Sequence, residues 1–152
     1  MSIQYIKKNV AFVVGALQTA IKSEDNIELS RIALLMPLLM DDSVVSKIND
    51  DSIQYDFENL ISANKMILAN YNDRYLSVLP LIYQAIALML DIEAISMRNG
   101  CLTRANIDIL SQMISNCNSQ SLCNMCRATE RILRMTEGKS IAKLYNLLKV
   151  EI

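Results

Sequence analysis

In this chain of 152 residues, the four cysteines are the residues whose type and spacing could hold a metal. Cys117, Cys123 and Cys126 form C-x5-C-x2-C, and Cys101 lies upstream. Four thiolates in a tetrahedron would hold zinc. Against that, Cys123 and Cys126 fall three apart within a predicted helix, not on a glycine-bearing knuckle. Buried free cysteine behaves as a small hydrophobe, and in a reducing compartment it stays a thiol. The chain is therefore expected to hold no zinc and no other cofactor. Histidine is absent, which removes the commonest general base and the commonest metal ligand. No two of the three glycines lie close together, so no phosphate-cradling loop is present. Carboxylates come as pairs, Glu24-Asp25, Asp41-Asp42 and Asp50-Asp51, at predicted turns and helix starts. Caps and solvated turns account for them there. The expectation is a protein that is not an enzyme.

One constellation could bind rather than react. Arg127, Arg131 and Arg134 are four and three residues apart and share one helix face, with Lys139 and Lys143 nearby. Such a stripe suits a phosphate backbone or an acidic partner. A solvated helix face explains it equally simply: Glu130 and Glu137 dilute it and no aromatics interleave. The nine methionines divide similarly between core filling and adaptable partner contact.

The elements that must position these groups are mostly helices. Three glycines and two prolines are too few for a sandwich or barrel. Val10, Val13, Val14, Leu17 and Ile21 form one apolar stripe, which predicts a helix over 5–22. Gly15 interrupts it and suggests close packing. A second helix over 28–36 is expected to break or kink near Met36, ahead of Pro37. Asp41 to Ser43 should cap a short helix through Val44, Val45 and Ile48. One helix is expected over 56–71, with Ala63, Met66 and Leu68 among its buried residues, then a turn at Asn72-Asp73. Pro80 is expected in the first turn of a helix over 80–91. That helix is apolar nearly all round, and so is expected at the centre of the molecule. Residues 94–104 alternate around Asn99-Gly100 and read as a β-hairpin. Helices over 106–116, from about 121 to 135, and over 139–149 complete the chain. The last should bury Ile141, Leu144, Leu147 and Leu148, with Tyr145 off that stripe or at its edge. The fold class is thus mainly α, a compact single-domain helical fold over 1–152 with one small hairpin, winged-helix-like.

Composition narrows the partner classes. Net charge is −1, split as −3 over residues 1–76 and +2 over 77–152, so no global pull toward nucleic acid exists. Hydrophobic residues reach 52% and charged residues only 20%. Either the core is unusually large or apolar surface is left for a partner, and the second reading is favoured. The apolar segment 78–90 is shorter than the roughly 20 residues that a membrane span needs. The first residues lack a signal-peptide pattern, so a cytoplasmic location is expected.

Four stretches are similar to the middle component of ABC-three-component (Lamassu-type) bacterial defence systems. They are Asn9-Val10-Ala11-Phe12, Ile27-Glu28-Leu29 leading into Ala33-Leu34-Leu35-Met36-Pro37-Leu38, residues 75–102, and a tail. The tail reads Glu137-Gly138-Lys139-Ser140-Ile141-Ala142, then Leu144-Tyr145-Asn146-Leu147-Leu148-Lys149-Val150. Ser140 stands where the family commonly has tryptophan. The resemblance implies a non-catalytic adaptor that bridges an SMC-like ABC ATPase dimer and an effector nuclease, in defence against phage or plasmids. ATP and DNA would be handled by those partners. On that reading Tyr145 and the face of Arg127, Arg131 and Arg134 are the candidate partner-binding residues. The alternative is a small helical DNA-binding regulator with the hairpin as a wing.

Overall fold

The computed structural model describes residues 10–52, 56–105 and 120–150. The expected helix over 106–116, with Met113, and also Cys117 lie outside the described residues. Helix α1 (Val10–Glu24) ends at Asp25, whose φ of 53° turns the chain into a short strand, β1 (Asn26–Glu28). Then come α2 (Leu29–Leu39), α3 (Asp42–Ile48), α4 (Phe57–Ala63), a 3-10 turn (Lys65–Leu68) and the long α5 (Tyr71–Asp91). Strands β2 (Ile95–Arg98) and β3 (Cys101–Arg104) follow, then α6 (Gln120–Met135) and α7 (Ile141–Leu148). The mainly α expectation holds.

The hairpin forms as its turn chemistry requires. Asn99 and Gly100 take φ of 51° and 75°, the positive values that a two-residue turn matched to strand twist needs. β1 adds to the far edge of β3, giving the order β1-β3-β2, all antiparallel. Ile27 faces Leu102 across that ladder and both are buried. A three-residue strand has too little alternation to be seen in sequence; pairing with β3 creates it.

The centre belongs to α2, not to the helix expected over 80–91. Every residue from Ile32 to Leu39 is buried, so its apolar all-round sequence is covered on all sides. Pro37 does not end it at Met36. An interior proline costs about 3 kcal/mol, and the burial of α2 on all sides offsets that cost. The Met40 amide bonds the Met36 carbonyl at 3.1 Å, so the ladder resumes past the ring. The Pro37 carbonyl then accepts from Arg74 at 3.1 Å.

α5 starts at Tyr71, so Asn72-Asp73 lies inside a helix and Pro80 sits in its middle, not its first turn. The single helix expected over 56–71 is broken. Asn64 leaves helical dihedrals (φ −130°, ψ 62°), its side-chain amide donates to the Leu60 carbonyl at 2.9 Å, and Asn70 takes a left-handed turn. Short polar side chains bear such conformations at least cost. The break rotates Met66 outward to 82% exposure and leaves Ala63 exposed, against expectation; Leu68 is half-buried. Met36, Met40 and Met89 are buried, as core filling requires.

α1 lies between α5 and α6. A Cβ on Gly15 would come 2.9 Å from Leu122 Cδ1 and 3.4 Å from Met125 Cε, the ends of two α6 side chains, so Gly15 gives those side chains room to pack against α1. Gly15→Leu is expected to force α1 and α6 apart at a cost of about 1–3 kcal/mol or more. A thermal melt matching the wild type would refute that role. α3 is capped as expected, Asp41 accepting from the Ser43 amide at 3.0 Å, and packs on α6. α7 packs on α2 and α4. Its N-cap is Ser140, whose hydroxyl accepts from the Lys143 amide at 3.1 Å. Ile141 is only half-buried; Leu144 and Leu148 are the buried residues of the tail helix, with Leu147 beside them.

Candidate functional site

Four of the five basic groups pair within the chain, sharing two carboxylates between them. Arg127 and Arg131 both reach Asp51 in the turn after α3, Arg127 Nη2 at 3.1 Å from Oδ2 and Arg131 Nη2 in close contact with Oδ1. The Arg131 hydrogen bond above all, with its charge and that of Arg127, holds the Asp51 carboxyl below its usual range. Arg131 also donates to the Ile48 carbonyl at 3.4 Å, at the end of α3. Lys139 and Lys143 share Glu58 at 2.9 and 3.2 Å. Arg134 is exposed in a cleft with Glu24, Glu130 and Glu137. Glu130 and Glu137 were visible beside the stripe in the sequence, whereas Asp51 and Glu58 lie far away in sequence and residue spacing gave no sign of them.

Tyr145 is placed elsewhere, against α5. It is half-buried at the edge of the Leu144–Leu148 stripe, and its side chain hydrogen-bonds with Tyr75. Burial, reinforced by that bond, pushes the Tyr75 phenol up to about 12. Tyr75 therefore stays neutral, and both tyrosines serve as packing groups with a polar tip. The tail and α5 form one surface, and the arginines form another.

α5 carries the feature that sequence reasoning assigned to the core. Its buried side is Val78, Ile82, Ala85, Ile86 and Met89. Its other side is also apolar, and it faces solvent: Leu76 is 52% exposed, Tyr83 59%, Leu88 47% and Leu90 38%. Pro80 and Ala87 are exposed between them. Pro80 is tolerated mid-helix because on an exposed face water can serve the carbonyl its missing N–H leaves unpaired. A helix apolar all round can be read two ways, as buried on every side or as buried on one side and partnered on the other. The high apolar content of the chain was the available signal for the second.

Nothing in the described geometry gathers groups for catalysis. The cleft between α3 and α6 is lined by Asp42, Val45, Ser46, Asn49, Ser121, Asn124 and Arg127, and the Ser121 hydroxyl donates to the Asp42 carboxylate at a long 3.5 Å with no third group among these residues to orient the pair. Cys123 and Cys126 sit one turn apart on α6, and burial raises the Cys126 thiol, which blunts it as a nucleophile. Among the described residues no group of three His, Cys, Asp or Glu is placed to hold a metal. Among them also, no helix is long and apolar enough to cross a membrane.

No curated protein and no solved structure matches the chain. One family model does, over residues 4–152: ABC-three component (ABC-3C) system Middle Component 3. With nearly the whole length matched, the chain belongs to the ABC-3C middle component 3 family, so it is one subunit of a complex with partner subunits.

Proposed function

We propose that this subunit is a non-catalytic adaptor that bridges an SMC-like ABC ATPase dimer and an effector nuclease. The complex would act in Lamassu-type defence against phage or plasmid DNA, in the cytoplasm. The observation that carries the reading is the apolar face of α5, left in solvent by a chain whose family is a middle component. Large exposed apolar patches mark interfaces. The lack of histidine and of a phosphate loop supports leaving ATP and DNA chemistry to the partners. The order β1-β3-β2, with the hairpin directly after α5, supports a winged-helix-like description. The DNA-regulator reading is less favoured, because Asp51 and Glu58 pair with four of the five basic groups and so reduce the positive charge offered to phosphates.

Co-expression with the other subunits of its system tests the adaptor. The tagged chain is expected to bring down both the ATPase and the effector. Purified alone it is expected neither to hydrolyse ATP, nor to cut DNA, nor to retard it in a gel. Capture of neither subunit would sink the adaptor reading, and a specific DNA shift by the chain alone would favour the regulator.

A further inference from the structure

The exposed face of α5 has a period as well as a polarity. Leu76, Pro80, Tyr83, Ala87 and Leu90 succeed one another at steps of four, three, four and three residues. All five are exposed and all five are apolar or amphipathic. This is the spacing of the seam along which one helix takes another. It continues over 15 residues from Leu76 to Leu90, about 21 Å of helix. The seam alternates in size: Leu76, Tyr83 and Leu90 project, while Pro80 and Ala87 leave hollows between them.

Charge decides between occupants. The charged residues of α5 are Asp73, Arg74 and Asp91, and Glu93 lies two residues beyond its end. Arg74 is turned away, donating to the Pro37 and Ile67 carbonyls at 3.1 and 3.3 Å and lying 3.5 Å from Asp41. Both ends of the seam are therefore acidic. A second copy crossing antiparallel about Tyr83 would set Asp73 against the Asp91–Glu93 end, and a parallel copy would set Asp73 against Asp73. Either arrangement puts acid on acid, which opposes association. A helix with bases at both ends is matched instead.

We infer that α5 docks an amphipathic helix of a partner subunit, one with a 4-3 apolar repeat over about four turns, large side chains opposite Pro80 and Ala87, and Lys or Arg at both ends. This rests on the adaptor reading and adds the chemistry of one of its contacts. Such a helix laid in the seam would cover the projecting residues, Tyr83 at the middle, where binding energy concentrates.

The test uses the full chain in its co-expressed complex. A photo-reactive phenylalanine analogue in place of Tyr83 is expected to crosslink to a base-flanked helical segment of one partner subunit. Tyr83→Glu is expected to lower capture of that subunit by about thirtyfold, the scale of a central anchor. Asp73→Lys with Asp91→Lys is expected to lower it severalfold and to flatten its salt dependence. These side chains are exposed, so each variant should melt like the wild type; that melt is measured alongside. A crosslink to a second copy of the chain overturns the inference. So does a wild-type complex that Tyr83→Glu leaves intact, in which case the adaptor reading survives. Failure of the wild-type chain to capture any subunit removes both.

Discussion

Leu148→Ala is expected to lower the free energy of unfolding by about 2–5 kcal/mol, the range for emptying a well-packed leucine site. Leu148 is fully buried at the last turn of α7, as is Leu144 one turn earlier. The site has little freedom to collapse into the void. α7 is held by α2 on one side and α4 on another, and the chain after it is pinned as well. Lys149 takes a left-handed φ of 55°, the Val150 amide bonds the Tyr145 carbonyl at 3.1 Å, and Val150 is buried. A cap that fixes the helix end leaves the cavity lined by atoms that cannot follow. Set against a typical domain stability of about 5–15 kcal/mol, the loss is large. Urea titration followed by circular dichroism measures it. A midpoint equal to the wild type would mean that the tail is not core. Tyr145→Ala provides the contrast: half-buried, it should lose less stability, and under the adaptor reading it should weaken partner capture.

The helices with one apolar face were legible because burial leaves a 3.6-residue period in the sequence. α1 and α3 lie where their apolar residues put them, and the Asn99-Gly100 turn needed no tertiary information because both residues answer a local dihedral demand. What failed involved residues whose local and tertiary preferences conflict. Pro37 and Pro80 each argue locally for a boundary, yet both lie within helices. The first is carried by burial on all sides and the second by an exposed face. Conversely the run 56–71 looked like one helix because leucines and isoleucines recur through it, whereas Asn64 and Asn70 interrupt it by conformations that no hydrophobic pattern encodes. The candidate site shows the same division. The arginines share a face as their spacing requires, but Asp51, distant in sequence, occupies two of them. The α5 seam was present as a pattern, and only the location of α2 at the centre decided which apolar helix would be covered and which left open.

Tyr71→Ala is expected to cost about 3–5 kcal/mol, the range for removing a fully buried aromatic ring. Tyr71 opens α5 and its ring is buried; its hydroxyl donates to the Leu34 carbonyl of α2 at 2.6 Å. The Arg74 guanidinium lies 5.5 Å from the ring centroid and donates to the Pro37 carbonyl. Tyr71 and Arg74 thus tie the first turn of α5 to the stretch of α2 that the proline interrupts. The ring should outweigh the hydroxyl in that tie. Tyr71→Phe removes only the O–H, so its loss should be about 0.5–1.5 kcal/mol. The two variants together separate packing from hydrogen bonding. Chemical denaturation of both, with the slope against denaturant held in view, reads the difference directly. If Tyr71→Phe costs as much as Tyr71→Ala, the hydroxyl and not the ring holds α5 on α2. Should both variants unfold at the wild-type midpoint, α5 is anchored by its Val78–Met89 face alone.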